Sequence, residues 1–313
     1  MIAGGMLVAA PERWDEACFA VPAVRALMAA GMAVGVVCPA DQRGFWESLN
    51  GLAVMDFLLN SKPKVVAAGV SGTWEASLAW DTGVAAEVFK IAGISRRLGI
   101  AERKLSKLLT HPLEVRVGPL EHRVRHYLAA VELLGIDTER AEFFMPADLG
   151  IHRIDGSVLL CPGSDFGPSH EWEIERWVEL GLKLLDTGKS VSVAVEGGGR
   201  GLGQMLAARL GDGVEILSWS LGGDAWPLLA NYAVVIAADG SLPHLAAHAG
   251  ATCVTLFGPN DPAWKRPLGR RHAVVRRHVE CAPCLLAKCP LDRRCQVELE
   301  TERVWRAVAD KLG

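Results

Sequence analysis

Small and polar residues that could bind an anion follow a predicted buried strand in the second half of the chain. The strand covers residues 234–237, and Asp239-Gly240-Ser241 leads from it into a helix predicted for residues 242–249. Backbone N–H groups at a helix start attract anions, and residues this small let a phosphate approach the backbone. Asp239 or Ser241 could equally cap the helix. The local sequence leaves both a phosphate site and a simple cap open.

Asp15 is the candidate for acid–base chemistry in the first half of the chain. It follows a predicted strand at residues 6–10 and precedes a helical pattern of apolar residues that runs from residue 16 to Gly31. A carboxylate at the end of a strand can accept a proton from an attacking hydroxyl, and it can also serve only as a helix cap. Pro22 lies inside the helical pattern, so the helix either kinks there or begins there.

A glycine-rich run at residues 197–203 lies between a predicted strand and a predicted helix, where a nucleotide-binding loop would stand. No register of the run satisfies G-x-G-x-x-G, because the third glycine position falls on Leu202, Gln204 or Leu206. The Gly-Lys-Ser/Thr of a P-loop is missing as well. The sequence excludes both fingerprints and indicates a flexible turn beside a binding cleft.

The eight cysteines fall into two groups. Four are scattered through apolar stretches, as is typical of small buried hydrophobic residues: Cys18, Cys38, Cys161 and Cys253. The other four are separated by gaps of two, four and five residues: Cys281, Cys284, Cys289 and Cys295. Four thiolates at such spacing can hold a structural zinc ion. Disulfides and free thiols are the alternatives.

Strands and helices alternate along most of the chain, which predicts parallel sheets with helices on both faces. Short strand-like runs predict strands at residues 6–10, 33–38, 65–70 and 158–161. Short β-branched runs predict further strands at residues 191–195, 214–217, 234–237 and 252–257. The pattern lapses between residues 145 and 154, which places a domain boundary there. We therefore predict an α/β protein of two doubly wound domains, residues 1–150 and 151–313, facing each other across a cleft.

Composition and charge narrow the class of function. The chain has 313 residues, half of them hydrophobic, which is ample for two packed cores. Lys and Arg total 33 against 36 for Asp and Glu, a formal net charge of -3, so we expect no nucleic-acid partner. No apolar run reaches the roughly 18 residues that span a bilayer, and no secretion signal is visible. We expect a cytoplasmic protein.

Several segments together resemble glycosyltransferase family 9, the lipopolysaccharide heptosyltransferases of Gram-negative bacteria. In the second half the resemblance is carried by Asp239 to His244, by Phe257-Gly-Pro-Asn-Asp-Pro262 and by the cysteine spacing. Further segments are similar to family elements: Asp15 with Pro22 to Leu27, Gly93 to Gly99, and Pro162 to Pro168 with Trp172, the last closest to the heptosyltransferase II branch. The resemblance extends over nearly the whole chain.

The resemblance implies a GT-B architecture of two Rossmann-like domains and an inverting transfer of heptose from ADP-heptose to the lipopolysaccharide inner core. The first domain would bind the lipid-linked acceptor and the second the nucleotide sugar, with no cofactor required for catalysis. The enzyme would act in the cytoplasm, with peripheral contact to the inner membrane. A weakened or inactive nucleotide-sugar-binding homologue and a transferase for another nucleotide sugar are the alternatives.

Position by position, the resemblance makes Asp15 the base that deprotonates the acceptor hydroxyl. It assigns the donor to seven residues of the second domain: Ser164, His170, Trp219, Asp239, Gly240, Ser241 and His244. Backbone amides of Gly240 and Ser241 would meet the pyrophosphate, and Asp239 would lie near the donor sugar. Trp219 would contact adenine or serve as a core residue.

The sequence departs from the family where the leaving group would lie. Gly240-Ser241 reverses the family order, and Trp14 replaces the glycine before the base. His170 stands where the family has a lysine, whose charge would neutralise the departing pyrophosphate. Histidine does so only when protonated. Either His170 is a weaker electrophile, or Arg200 substitutes for the lysine, or the enzyme is slow.

Two basic groups each admit two interpretations. The first contains six residues with no acid among them: Lys265, Arg266, Arg270, Arg271, Arg276 and Arg277. It is either a solvated face or a contact to the donor pyrophosphate. The second lies between Arg96 and Arg125, and is either a solvated face or a surface for an anionic acceptor or acidic lipid headgroups.

Overall fold

The computed structural model describes residues 4–196, 201–222 and 225–313, and the chain divides into two units, Met1–Met145 and Pro146–Gly313. Among the described residues, each unit contains a six-stranded sheet whose strand pairs are all parallel. The predicted parallel α/β class is confirmed. The structure divides the chain a few residues before the predicted position.

The first unit is a doubly wound sheet. Its strands are β1 (Met6–Ala9), β2 (Val34–Pro39), β3 (Ala53–Phe57), β4 (Ala76–Ala79), β5 (Arg96–Ile100) and β6 (His111–Leu113). Its helices are α1 (Trp14–Ala29), α2 (Arg43–Glu47), α3 (Pro63–Ala68), α4 (Val84–Ile91) and α5 (Val124–Glu132). The spatial order is β3-β2-β1-β4-β5-β6. The chain adds β2 and β3 on one side of β1 and then β4, β5 and β6 on the other side, so the order of strands reverses between β1 and β4.

Strand β1 is buried on both faces, which explains its uninterrupted apolar sequence. Leu7 and Ala9 pack with Val88 and Phe89 of α4. The intervening residues of the strand face the other way and are equally buried.

One prediction for the first unit is wrong, and one of two alternatives at Pro22 is excluded. The run at residues 65–70 predicts a strand, but the structure places helix α3 there, with Pro63 in its first turn, where a missing N–H costs nothing. No residue of α3 is buried, so its valines do not mark a core strand. Helix α1 begins at Trp14 and continues through Pro22, which therefore does not start the helix.

The second unit repeats the arrangement of the first. Its strands are β7 (Ile154–Cys161), β8 (Ser190–Glu196), β9 (Glu215–Trp219), β10 (Tyr232–Ala238), β11 (Thr252–Phe257) and β12 (Ala273–Arg276). Its helices are α6 (Ile174–Asp186), α7 (Leu202–Leu210), α8 (Leu242–Ala249), α9 (Pro262–Lys265), α10 (Arg294–Val297) and α11 (Thr301–Leu312). The order β12-β11-β10-β7-β8-β9 reverses between β7 and β10.

His272 ties the start of β12 to β11. Its Nδ1 accepts the backbone N–H of Cys253 at 3.1 Å, and its Nε2 donates to the Leu268 carbonyl at 2.9 Å. Only the neutral imidazole makes both contacts. Burial, with a smaller contribution from Arg271, lowers the pKa of His272 to about 4.

We expect His272 to make the fold sensitive to acid. The unfolded chain, with a histidine pKa of about 6.5, binds more protons than the folded one between pH 6.5 and 4, so this stabilisation is present above pH 6.5 and is lost as pH falls. His272→Gln should therefore lower the free energy of unfolding at pH 7.5, and its deficit should shrink by roughly 2 kcal/mol at pH 5. Urea unfolding of both proteins at the two pH values measures this. A deficit that is equal at both would contradict it.

Candidate functional site

The loops that carry the predicted donor residues meet where the second sheet reverses. In parallel α/β sheets, ligands bind at such a point, beyond the carboxyl ends of the strands. The chain leaves β7 through residues 162–168 and leaves β10 through residues 239–241. Ser164 Oγ donates to the Asp239 carbonyl at 2.6 Å and accepts the Phe166 N–H at 3.1 Å. The two loops are thus joined directly.

Asp165 binds the start of helix α8. The backbone N–H of Ser241 donates to Asp165 Oδ1 at 2.7 Å, and Ser241 Oγ donates to Asp165 Oδ2 at 2.7 Å. A carboxylate at this end of a helix is electrostatically favourable. The amide of Ser241, which the family resemblance assigns to the pyrophosphate, is therefore engaged by a carboxylate of the protein in this structure.

Gly240 and His244 flank this contact. A Cβ on Gly240 would lie 2.7 Å from Asp165 Oδ1 and 3.2 Å from Ser164 Oγ, so a side chain would push the loops apart. His244 lies in the first turn of α8, is buried, and donates its backbone N–H to the Ser241 carbonyl at 3.2 Å. Both residues thus lie next to the loop contact.

Asp239 is completely buried and joins three segments of the second unit. Its Oδ2 accepts the side-chain N–H of Asn260 at 2.8 Å and lies 2.9 Å from His170 Nδ1. Burial raises the pKa of Asp239, whereas His170, Asn260 and the charge of Lys265 act in the opposite direction. Its Oδ1 has no hydrogen-bond partner among the described residues, so the carboxylate retains one acceptor.

His170 is held in place by its neighbours rather than free to meet a ligand. It is 2% exposed, and its ring packs edge-on against Phe166 with centroids 5.6 Å apart. Its carbonyl accepts the side-chain N–H of Gln296 at 3.2 Å. The imidazole therefore acts as a partner of Asp239.

Lys265 brings a buried positive charge to the same place. It ends α9, is 4% exposed, and its Nζ lies 5.2 Å from the ring centroid of Phe166 in the loop after β7. Its charge acts on Asp239. The solvated-face interpretation of the first basic group, residues 265–277, is thus wrong for Lys265.

A cavity beside the loops contains Trp219. It is lined by Cys161, Gly163, Glu171, Ala194, Gly201, Leu202, Gly203, Trp219 and Leu242. Trp219 ends β9 and is 3% exposed, so it forms a wall of this cavity as well as part of the core. The end of the glycine-rich run lines the same cavity. Residues 197–200, including Arg200, lie outside the described residues, and the predictions for them stay predictions.

Asp15 occupies the corresponding place in the first unit. It lies in the first turn of α1, just beyond the carboxyl end of β1, beside the point where the first sheet reverses. Its side chain is completely buried. Arg13 Nε donates to Asp15 Oδ1 and Arg13 Nη2 to Asp15 Oδ2, both at 3.1 Å.

The neighbouring Glu16 fixes α1 against α5. Arg123 Nε donates to its carboxylate at 2.8 Å, and the Tyr127 hydroxyl donates to it at 2.5 Å. Burial and the charge of Glu16 raise the pKa of Tyr127 well above its usual value, so the phenol stays protonated. The contacts of Glu16 thus hold the helix that carries Asp15 against α5.

The clustered cysteines are not arranged as metal ligands in this structure. All eight cysteines are free thiols, and among the described residues no group of three or more His, Cys, Asp or Glu side chains is placed to hold a metal ion. Cys281 is exposed while Cys295 is buried. Burial, together with the three neighbouring thiols, raises the pKa of Cys295 to about 11. A structural zinc ion at these cysteines stays a prediction, and no step of the mechanism depends on it.

Four of the eight basic residues between Arg96 and Arg125 make ion pairs or hydrogen bonds within the first unit. Arg96 pairs with Glu75 at 3.2 Å and Arg125 with Glu132 at 2.7 Å. Arg97 donates to the carbonyls of Leu108 and Ile94. In the part of the chain that the structure describes, no helix is both long and apolar enough to cross a bilayer. Contact with a lipid surface stays a prediction.

Three contributors to the site escape sequence reasoning. Asp165 lies in a loop that the sequence singles out, but its contact with Ser241 spans 76 residues. Asn260 lies inside the segment 257–262, and nothing in that segment indicates that Asn260 contacts Asp239. Arg13 is two residues from Asp15, and this spacing was the one available signal.

Comparison with known proteins identifies relatives for most of the chain. The family model "Glycosyltransferase family 9 (heptosyltransferase)" matches residues 85–294, more than half of the chain. The lipooligosaccharide heptosyltransferase 2 of Haemophilus influenzae is 26% identical over 124 residues, which cover 38% of this chain and 36% of that protein. The lipopolysaccharide heptosyltransferase 2 of Escherichia coli is 29% identical over 124 residues, which again cover 38% of this chain and 36% of that protein. The matched segment thus spans little more than a third of these relatives.

The structural similarity covers more of the chain than the sequence similarity does. The solved structure of the E. coli ADP-heptose lipopolysaccharide heptosyltransferase II superimposes with a TM-score of 0.78 over 98% of both chains, at 19% identity. The expected GT-B fold of two α/β domains is confirmed by this match.

Proposed function

The chain belongs to glycosyltransferase family 9, and from that premise we propose that it transfers a heptose from ADP-heptose to the inner core of lipopolysaccharide. The observation that carries the proposal is the buried cluster around Asp239, where the loops after β7 and β10 meet at the switch point of the second sheet. A pyrophosphate is the kind of ligand that a helix start and small residues at such a point accommodate.

In the proposed reaction, Asp15 acts as the general base. The acceptor hydroxyl gives its proton to the Asp15 carboxylate while its oxygen forms a bond to the anomeric carbon of the heptose. The bond from that carbon to the pyrophosphate oxygen breaks, and ADP leaves with the electron pair. A single displacement of this kind inverts the anomeric configuration.

On the donor side, the remaining acceptor of Asp239 suits a sugar hydroxyl, and the cavity beside Trp219 suits the adenine ring. The buried charge of Lys265 and the backbone amides at the start of α8 would stabilise the negative charge that develops on the departing ADP. Asp165, which now occupies that helix start, would give way to the phosphate. We place the reaction in the cytoplasm, where a lipid-linked acceptor meets the enzyme at the inner-membrane surface.

The test is ADP release from ADP-heptose with heptose-deficient lipopolysaccharide as acceptor, alongside ADP-glucose and UDP-glucose as competing donors. We expect acceptor-dependent ADP release with ADP-heptose and little with the others. Faster release from another donor would replace the proposed sugar. Release that does not depend on the acceptor would indicate hydrolysis and contradict transfer.

A second candidate is a nucleotide-sugar-binding homologue with weakened activity. The specific observation in its favour is that His170, at the position of the family lysine, is buried against Asp239 rather than placed as a free cation. Saturable ADP binding without turnover for any donor would favour this alternative.

Lys265→Met tests whether the buried ammonium stabilises the leaving group. Methionine keeps most of the length of the side chain but removes the ammonium that lies over Phe166. We expect turnover to fall by roughly 10–100-fold, with a smaller loss of ADP affinity, because the charge on the pyrophosphate grows in the transition state. The exposed neighbour variant Arg266→Met is the control and should retain wild-type turnover. Equal turnover in both variants would contradict the role of Lys265.

A further inference from the structure

Asp15 cannot meet an acceptor in the state that the structure describes. Its side chain has no exposed surface, and both carboxylate oxygens accept a hydrogen bond from the guanidinium of Arg13. A general base must come within about 2.6–3.2 Å of the proton that it removes. Some group must therefore move before Asp15 can act.

Arg13 is the member of the pair that can move. Asp15 belongs to the first turn of a helix whose neighbouring side chains, Trp14 and Ala17, are buried, so its backbone is fixed. Arg13 precedes the helix in extended conformation, and its side chain is 59% exposed. A long exposed side chain loses little packing when it swings into solvent or toward a ligand.

Two nearby carboxylates are already engaged. Glu16 accepts from Arg123 and Tyr127, and Glu12 Oε1 accepts the backbone N–H of Val84 at 3.2 Å. A guanidinium released from Asp15 is therefore available to an anion brought by a ligand. Its planar fork matches a carboxylate or a phosphate in a bidentate fashion.

We propose that Arg13 is a positioning residue. Its guanidinium covers Asp15 until an anionic group of the acceptor binds the guanidinium and exposes the base. This rests on the proposed function, because it takes Asp15 as the base and the first unit as the acceptor side. It adds that the acceptor must carry a carboxylate or phosphate close to the hydroxyl that reacts.

Acceptor binding tests the exchange without relying on turnover. The probe is the core oligosaccharide released from heptose-deficient lipopolysaccharide, used intact, with its carboxyl groups methyl-esterified, or dephosphorylated. It is titrated calorimetrically into the wild type, Arg13→Gln, Asp15→Asn and the double variant. We expect Arg13→Gln to bind the intact probe about tenfold more weakly, since it loses a charge-assisted pair. Asp15→Asn should bind it about tenfold more tightly, because Arg13 no longer has to leave a carboxylate.

The double variant should bind like Arg13→Gln, because the gain from Asp15→Asn requires Arg13. The derivative that removes the recognised group should bind all four proteins alike, which tells a carboxylate from a phosphate. Arg13→Lys should recover part of the affinity. Arg209→Gln, which removes an exposed, ion-paired arginine of the other unit, is the charge control and should leave binding unchanged.

Unchanged binding in Arg13→Gln, or no gain in Asp15→Asn, would overturn the exchange, as would equal losses for the intact and modified probes. ADP affinity should stay constant throughout, and a loss in Arg13→Gln would assign the anion to the donor instead. If the binding pattern holds but no donor supports turnover, the proposed function fails while the exchange stands.

Discussion

Asp15→Asn is expected to lower the rate of heptose transfer by roughly 10²–10⁴-fold, the range that a positioned general base contributes. Asparagine keeps the shape of a side chain that is completely buried, but it cannot take the proton of the attacking hydroxyl. ADP affinity should stay within about twofold, because a base that acts on the acceptor contributes to the transition state rather than to donor binding. Steady-state ADP release and an ADP titration measure the two effects.

The matched control is Asp137→Asn. Asp137 is an exposed carboxylate of the same unit that accepts the N–H of Glu139 within its own loop, at 3.0 Å. It should retain wild-type turnover. Thermal unfolding of both variants checks that neither change disturbs the fold. A turnover of Asp15→Asn within about threefold of the wild type would remove Asp15 from the proposed mechanism.

The central strands were predictable because burial on both faces leaves a strong pattern. Residues 234–237 are a continuous apolar run and residues 252–257 combine apolar residues with two threonines, and the structure places both inside parallel strands of the second sheet. The run at residues 65–70 has similar composition, but its residues are exposed or only partly buried, and residues 65–68 lie in helix α3. Sequence patterns report which side chains prefer the core, and they mislead where tertiary packing leaves such side chains exposed.

The candidate site was predictable only in part, because its loops have local signatures and its contacts do not. The position of Asp239-Gly240-Ser241 after a buried strand points to the switch point of the sheet. Nothing local pairs Asp239 with His170, which is 69 residues away in the sequence. That pairing depends on the order of strands in the sheet, which one sequence does not display.

The position of positive charge shows the same limit. Lys265 lies among arginines, and from the sequence the whole group is either a solvated face or a contact to the donor pyrophosphate. In the structure, Lys265 is buried beside Phe166, whereas the adjacent Arg266 is exposed. Burial decides which cation can act on the site, and the spacing of charges along the chain does not reveal burial.

Asp239→Ala is expected to lower the free energy of unfolding by about 2–5 kcal/mol, the cost of leaving buried polar groups without a partner. Alanine removes the oxygen that contacts both the Asn260 amide and the His170 imidazole. Asp212→Ala, at an exposed carboxylate of the same unit, is the control and should be neutral. Urea unfolding measures both, and an unchanged midpoint for Asp239→Ala would contradict the role of the cluster.

Asp239→Asn separates the hydrogen bonds of this side chain from its charge. Its amide oxygen can still accept from Asn260 and His170, so we expect a smaller loss of stability, about 1–2 kcal/mol. Removing a negative charge beside the proposed pyrophosphate site should leave ADP affinity unchanged or higher, while turnover falls because the acceptor for the donor sugar is altered. ADP titration and transfer assays at a temperature where the variant is fully folded test this. Weaker ADP binding in Asp239→Asn would instead mean that the carboxylate orders the loops after β7 and β10, and that its charge is needed for that order.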